Sequence, residues 1–171
     1  MHTVLKMAVQ RVVPKGAVYL FENYTDPVDG LSACCTCEIA AHLAKYRKPA
    51  DVKICWQAKM SGWQEQLIRG KAFHSGNDAV AVGAPDFLKR LGIQSCAVAP
   101  VLIGKSWAGF VACGDVSPAR PWSEQDMSLL RAIAEVIGTM LARKTMQNQL
   151  LQSQKLEMLG KLSSGLAHDF N

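Results

Sequence analysis

The residues best suited to chemistry stand near the end of the sequence, where His168 is followed directly by Asp169. A neutral imidazole is a nucleophile and a proton acceptor near pH 7, since its ordinary pKa is about 6.5. A neighbouring carboxylate can hold one ring nitrogen and its proton, which leaves the other nitrogen to attack an electrophile. An ordinary polar helix face would carry the same pair, so the pair alone does not assign a function.

Helical periodicity predicts where the His168 side chain points. At 100° per residue the apolar residues within 157–170 form one stripe along the helix, and the polar residues cluster on the opposite side. The apolar members are Leu159, Leu162, Leu166 and Phe170, and the polar members are Glu157, Lys161, Ser164 and His168. We therefore predict a solvent-facing imidazole, while the leucines are also typical of simple helix packing.

The six cysteines could serve metal binding or thiol redox chemistry. On a predicted strand, alternation places Cys35 and Cys37 on one face and Cys34 on the other. A tetrahedral zinc site would then need ligands from distant segments, so we predict no metal site. Redox sensing needs an accessible, acidic thiol, and Cys55 has a basic neighbour in Lys53. Burial in the core is the competing interpretation.

Two histidines and four tryptophans could line a ligand site. His74 and His42 are candidates for haem ligation, although a single histidine beside Phe73 is also typical of a loop or a core. The tryptophans are Trp56, Trp63, Trp107 and Trp122. They could surround an apolar pocket, and plain packing is the simpler interpretation. We therefore name His74 and Cys55 as candidate ligand or cofactor residues and leave the ligand unassigned.

Composition limits the class of protein. The 171 residues, 49% hydrophobic and 19% charged, suit one globular domain with a modest appendage. The net charge of +5 is scattered, which gives no reason to expect a nucleic-acid partner. The longest apolar run covers 96–104, far short of the roughly 18 residues that a membrane helix needs, and residues 1–13 do not resemble a signal peptide. We expect a cytoplasmic protein without membrane insertion by this segment.

Apolar periodicity and turn residues predict an α+β fold. A short amphipathic helix over 4–12 precedes a hairpin of two strands, 17–22 and 31–41, with a long loop over 23–30. Two helices are predicted to end at glycine, over 61–69 and 85–91. The last two strands, 95–103 and 106–113, flank Gly104 and Lys105, a pair typical of a two-residue hairpin turn.

A long helix is predicted to begin after Ser123, which forms a capping box with Asp126. No proline follows within 124–171. The apolar residues Leu129, Ile133, Val136 and Met140 step by 4, 3 and 4, as in a coiled coil, which predicts a homodimer through this helix. We divide the chain into a domain over 1–142 and a helical segment over 143–171.

A set of short motifs in the first domain resembles the GAF domain family. After the predicted hairpin come Trp63, Gly92-Ile93-Gln94-Ser95, a strand ending at Pro100-Val101, Trp107-Ala108-Gly109-Phe110 and Pro121-Trp122-Ser123-Glu124-Gln125-Asp126. Their order and spacing carry the resemblance, which implies an antiparallel sheet flanked by helices and a sensory role. The Asn-Lys-Phe-Asp-Glu signature of cyclic-nucleotide-binding members and the Cys-His dipeptide of bilin-attaching members are absent from the sequence.

The tail closely resembles the H-box of the dimerisation and histidine-phosphotransfer region of sensor histidine kinases. The matching residues are 154–162 (QKLEMLGKL) and 165–171 (GLAHDFN). The resemblance implies that His168 accepts phosphate from ATP, that Asp169 orients it as a general base, and that the phosphate passes to an aspartate of a response-regulator receiver domain.

A glycine-rich ATP lid and a set of Mg²⁺ ligands are absent from the 171 residues. Phosphoryl transfer depends on positioning nucleotide and metal, so we expect this stretch alone to be inactive. ATP and Mg²⁺ would act only through a kinase domain missing here. The alternative function is a non-enzymatic GAF dimerisation module that senses a small molecule or a redox change.

Overall fold

The computed structural model describes residues 2–14, 16–40, 53–56, 61–75, 93–117 and 121–169. The chain forms two compact units, Met1–Gly138 and Thr139–Asn171. The elements of the described ranges, in chain order, are α1 (His2–Val12), β1 (Gly16–Asp26), β2 (Gly30–Ala40), β3 (Lys53–Cys55), α2 (Ser61–Ile68), β4 (Phe73–Ser75), β5 (Ser95–Ile103), β6 (Ser106–Asp115) and α3 (Glu124–Asp169). The predicted α+β class is confirmed, whereas the helix predicted over 85–91 lies outside the described residues.

The strands of the first unit form one antiparallel sheet. Within the described ranges the sheet has six strands in the order β3-β2-β1-β6-β5-β4. The long strands β1 and β6 lie at its centre, and the three-residue strands β3 and β4 form its edges. Because β1 is completely buried from Gly16 to Phe21, both faces of the sheet centre are covered.

Alternate residues of the central strands build two different faces. One face is a cluster of buried side chains that includes Tyr19, Phe21 and Phe110, and α2 adds Trp63 and Leu67 to it. On the opposite face Val18, Leu20, Val111 and Cys113 are fully buried, outside that cluster. Aromatic rings thus concentrate on one side of the sheet.

The first hairpin extends further than its sequence predicts. Asn23, Tyr24 and Thr25, predicted as loop, pair with residues 31–33 of β2, so the connection contains only 27–29. Asp26 ends β1 because its Oδ1 accepts hydrogen bonds from the backbone N–H groups of Val28 and Asp29, at 2.9 and 3.0 Å. The turn residues are therefore concentrated at the tip of a longer hairpin.

A β-bulge corrects the predicted faces of the clustered cysteines. Leu20 pairs with Cys37 and Phe21 pairs with Cys35, so Thr36 is an extra residue in β2. Directly paired residues share a face, so Cys35 lies on the face of Phe21 and Cys37 on the face of Leu20. The prediction that Cys35 and Cys37 share a face was wrong, because strict alternation does not hold across a bulge.

Other local predictions from the sequence are confirmed. Gly104, in the turn between β5 and β6, has a φ of 62°, in the left-handed region that favours glycine. Helix α2 is closed by Gly70, whose φ is 71°. The N–H of Gly70 donates to the Leu67 carbonyl (3.0 Å) and that of Lys71 to the Gln66 carbonyl (2.9 Å), which forms a Schellman motif.

Helix α3 begins with the predicted capping box. The Asp126 N–H donates to Ser123 Oγ, and the Ser123 N–H donates to Asp126 Oδ2, both at 3.1 Å. In the first unit, the helix buries Met127, Leu130, Ile133, Ala134 and Ile137. Gly138 lies so close to β5 that a Cβ there would be 2.3 Å from the carbonyl oxygen of Leu102. Glycine therefore permits a close approach of helix and strand.

Candidate functional site

Six rings on one face of the sheet, each in contact with another of the six, form what we call the aromatic cluster: Phe21, Trp56, Trp63, Phe73, Trp107 and Phe110. The central strands β1 and β6 carry three of these rings. The other three come from the residue that follows β3, from α2 and from β4, at both sides of the sheet. The cluster is thus supported by the sheet centre and closed by residues from its margins.

Two rings of the cluster, which belong to the neighbouring strands β1 and β6, form a stacked pair. Phe21 and Phe110 are directly paired, with ring centroids 4.6 Å apart and an interplanar angle of 6°. The preceding residue of β6 is Gly109, and a Cβ there would lie 2.0 Å from the carbonyl oxygen of Phe21. A side chain at 109 would therefore separate the two strands and disrupt the stack.

Trp56 packs against two rings borne by the sheet. Its ring centroid lies 4.8 Å from that of Trp107 and 5.7 Å from that of Phe110, both in edge-on geometry. Trp56 is only 1% exposed although it follows an edge strand. Such edge-to-face pairs add stabilisation beyond the buried area, about 1 kcal/mol each.

Asn23 provides the polar contacts of the cluster. Its Oδ1 accepts a hydrogen bond from Trp56 Nε1 at 3.3 Å, and its Nδ2 donates to the carbonyl oxygen of Trp107 at 3.2 Å. The Trp107 ring is held in turn, because its Nε1 donates to the carbonyl oxygen of Gly109 at 2.7 Å. An apolar site with a few fixed polar groups is the usual composition of a small-molecule site.

At the other side of the cluster, Trp63 of α2 packs edge-on against Phe73 of β4. Their ring centroids are 5.2 Å apart with an interplanar angle of 79°. Trp63 is 7% exposed, whereas Phe73 is half-buried. Helix α2 therefore covers this part of the sheet through an aromatic contact.

Comparison with known proteins identifies the family. The family model for the GAF domain matches residues 2–141. The chain belongs to the GAF domain family. No curated protein sequence matches the chain.

Solved structures of GAF domains share this fold. The blue-light-absorbing form of the Thermosynechococcus elongatus PixJ GAF domain is 18% identical, with a TM-score of 0.68 over 89% of this chain and 88% of that one. A far-red cyanobacteriochrome photoreceptor is 15% identical, with a TM-score of 0.67 over 83% and 84%. The phycocyanobilin-bound GAF domain of a cyanobacterial phytochrome is 13% identical, with a TM-score of 0.66 over 85% and 95%. At these identities the likeness shows the fold alone.

Cys55 of this GAF domain lies beside the ion pairs that join β3 to the first hairpin, rather than in the aromatic cluster. The thiol is half-buried and donates to the carbonyl oxygen of Asp29 at 3.8 Å. The Lys53 ammonium binds both Asp26, at 2.7 Å, and Asp29. The hydrogen bond from Lys53 and those from the Asp29 and Val28 N–H groups lower the pKa of Asp26 to about 2, and the two carboxylates raise the pKa of Lys53.

The structure separates the other candidate ligands. His74 is exposed on the edge strand β4, where it pairs with Ala97. Cys96 and Cys113 are buried, and Cys34 is half-buried with its thiol 3.8 Å from the carbonyl oxygen of Glu22. Across the described ranges, no three His, Cys, Asp or Glu side chains come together as a metal site would require. His42 lies outside those ranges.

His168 and Asp169 lie at the end of the 46-residue helix α3. Their side chains lie outside the described part of the structure. Earlier in the second unit, six large apolar side chains are between 55% and 70% exposed: Met146, Leu150, Leu151, Leu156, Met158 and Leu159. No helix in the described part of the chain combines the length and the apolar character that crossing a bilayer requires.

Sequence reasoning missed Asn23 as a member of the site. Its neighbours Tyr24, Asp26 and Pro27 are turn-forming or polar, which placed it in a loop. A usable signal was the two-residue spacing of Tyr19, Phe21 and Asn23, which puts all three on one face if the strand continues. Of the four tryptophans, three lie in the aromatic cluster and Trp122 is buried elsewhere.

Proposed function

We propose that this chain is the sensory and phosphoacceptor part of a two-component histidine kinase. The GAF domain detects a small molecule, His168 accepts phosphate from ATP bound with Mg²⁺ to a kinase domain, and Asp169 orients the imidazole as a general base. The phosphate then passes to an aspartate of a response-regulator receiver domain. These roles fit a cytoplasmic location.

The observation that carries this proposal is the continuity of helix α3. It begins in the GAF domain at Glu124 and continues to Asp169, so one helix contains both the end of the sensory domain and the H-box residues up to Asp169. A change in GAF packing that rotates or shifts such a helix would change how His168 is presented to a kinase domain.

Exposed apolar residues on α3 support the homodimer that the proposal includes. Leu129, Val136 and Met140 are 36% to 46% exposed, although they follow coiled-coil spacing. Ile133, the fourth residue of the predicted seam, is 7% exposed within the chain and contributes to its own core. A second copy of α3 carries the same apolar spacing and would cover the exposed residues.

The decisive experiment is phosphotransfer to the whole chain. The protein is incubated with radiolabelled ATP, Mg²⁺ and the isolated ATP-binding domain of a sensor histidine kinase that phosphorylates its own acceptor helix as a positive control. We expect acid-labile, base-stable label on the wild type. The His168→Gln variant should take up none.

Two variants sharpen the phosphotransfer test. His74→Gln changes an exposed histidine on β4 and should leave labelling unchanged. Asp169→Asn should slow labelling roughly 100-fold, the lower range for loss of a general base. Label on the His168→Gln protein, or none on the wild type while the positive control is labelled, would contradict the proposal.

The second candidate function is a non-enzymatic GAF module that binds a chromophore or another small molecule. It is favoured by the aromatic cluster and by the similarity to photoreceptor GAF domains, one of which is bound to phycocyanobilin. Purified protein mixed with phycocyanobilin would develop a visible absorption band that survives gel filtration. Colour without transfer to His168 would select this function over the kinase role.

A further inference from the structure

The buried ring of Trp56 contacts groups that belong to the two central strands of the sheet. The walls around it, Trp107 and Phe110, belong to the central strand β6, and its hydrogen-bond acceptor, Asn23, belongs to β1. Trp56 itself follows a three-residue edge strand. We infer that the sheet carries a binding site for a flat aromatic ring with an N–H donor, of the indole class, and that Trp56 fills this site as an internal competitor.

The polar group of this site recognises a donor. The Asn23 amide is oriented by its Nδ2, which donates to the carbonyl oxygen of Trp107, and its Oδ1 therefore faces the Trp56 ring. An amide oxygen accepts hydrogen bonds and cannot donate them. A ring with an N–H in the place of Trp56 Nε1 satisfies it, whereas a ring without one leaves a half-buried acceptor unpaired, which lowers its affinity roughly tenfold or more.

The walls of the site persist without Trp56. Phe110 is also held by its stack with Phe21, at 4.6 Å between ring centroids, and Trp107 is held by its own hydrogen bond to the Gly109 carbonyl. Strands β1 and β6 pair with each other along most of their length at the centre of the sheet. Withdrawal of Trp56 needs movement next to the short edge strand β3, while the centre of the sheet keeps its pairing.

Competition between Trp56 and a ligand gives the site a sensory response. An incoming ring restores the contacts and the hydrogen bond that Trp56 gives up. Its affinity for the wild type is therefore its affinity for the open site multiplied by the fraction of molecules in which Trp56 has withdrawn. This inference rests on the sensory role proposed above. It is independent of phosphate transfer to His168, which the labelling assay measures separately.

The binding test compares indole with indene, which has nearly the same shape and lacks the N–H. Binding to the full chain is measured by calorimetry. The Trp56→Ala variant should bind indole at least tenfold more tightly than the wild type does, and at least tenfold more tightly than it binds indene. The double variant with Asn23→Ala should lose the difference between the two probes, because the acceptor is gone.

A matched control removes another buried tryptophan of the cluster. Trp63→Ala opens space against Phe73, where the described contacts include no amide oxygen. It should show no preference for indole over indene. If Trp56→Ala does not fold, Trp56→Leu replaces it in the same comparison. Equal affinity of the Trp56 variant for the two probes would overturn the inference.

A second readout tests competition in the wild-type protein. The indole N–H signal of Trp56, assigned by its loss in Trp56→Phe, is followed by nuclear magnetic resonance during addition of indole. Displacement should move this signal towards the position of a solvent-exposed tryptophan. An unchanged Trp56 signal when the site is saturated with indole would contradict the competitor role, whatever the phosphotransfer assay shows.

Discussion

The aromatic face of the sheet buries its apolar side chains, whereas the helix of the second unit exposes them. Phe21, Phe110 and Trp56 are at most 1% exposed and contact one another. In the second unit Leu150, Leu156 and Leu159 are 59% to 70% exposed. The first region is complete within one chain, whereas the second presents apolar surface of the kind that marks interaction sites.

The difference follows from how each region is built. The sheet brings together strands that are far apart in sequence, so its side chains meet many partners and the position of each is fixed by packing. The helix obtains its backbone hydrogen bonds from neighbours along the chain and needs no distant contact to form them. Stability therefore resides mainly in the first region, and the second is suited to association.

The largest expected effect comes from truncating an apolar side chain in each region. Phe110→Ala should lower the free energy of unfolding by about 4 kcal/mol, because it empties the centre of the aromatic cluster. Leu156→Ala, in the second unit and 70% exposed, should change the unfolding free energy of the first unit by less than about 0.5 kcal/mol. Urea unfolding followed by tryptophan fluorescence reports on the first unit, which contains all four tryptophans. Similar losses in both variants would contradict the comparison.

Glycine substitutions test the close approach of the central strands. A Cβ at Gly109 would lie 2.0 Å from the Phe21 carbonyl oxygen, so Gly109→Ala should destabilise the protein by about 3 kcal/mol. In α2, a Cβ added at Gly62 would meet nothing within 4 Å, and Gly62→Ala should be neutral or stabilise by up to about 1 kcal/mol. The urea unfolding midpoint of each variant is compared with that of the wild type. A Gly109→Ala midpoint equal to that of the wild type would show that β1 and β6 can separate.

A smaller effect is expected at the amide of the aromatic cluster. Asn23→Ala removes the acceptor of Trp56 Nε1 and the donor to Trp107, and should cost about 1 to 2 kcal/mol. Asn148→Ala, at an exposed position of α3, is the matched control and should be near neutral. Thermal unfolding compares the two, and an equally mild Asn23→Ala would mean that the amide does not hold Trp56.

The smallest effect concerns pH at the tip of the first hairpin. Hydrogen bonds, first of all from Lys53, lower the pKa of Asp26 to about 2, below its value of about 3.9 in an unfolded chain. The folded state therefore gains stability from ionised Asp26 above about pH 4 and loses it as the pH falls towards 2. The stability difference between wild type and Asp26→Asn should shrink over that window in urea titrations. A difference that is constant from pH 5 to pH 2 would contradict this.

The sequence predicted those elements whose signals are local. Ser123 and Asp126 predicted the capping box, Gly104 predicted the tight turn between β5 and β6, and the stop at Gly70 predicted the end of α2. Each depends on residues within a few positions of one another. These features could therefore be derived without knowledge of the fold.

Features that depend on pairing between distant segments were missed. The extra residue Thr36 in β2 is visible only in the register with β1, and it reversed the predicted face of Cys37. Asn23 has the character of a turn residue until its contacts with Trp107, 84 positions away, and with Trp56 are known. The cluster's three tryptophans were candidates from the sequence, but the contacts of Trp56 and Trp107 with one amide could not be derived from composition.

The most direct test of the comparison is the mass of the whole chain in solution. If the exposed side of α3 is covered by a second copy, sedimentation equilibrium at micromolar concentration should give twice the chain mass of 18.6 kDa. Leu129→Glu with Val136→Glu should restore the single-chain mass, whereas Val28→Glu, at an 88% exposed hairpin position, should not. A wild-type mass of one chain at every concentration would contradict the account.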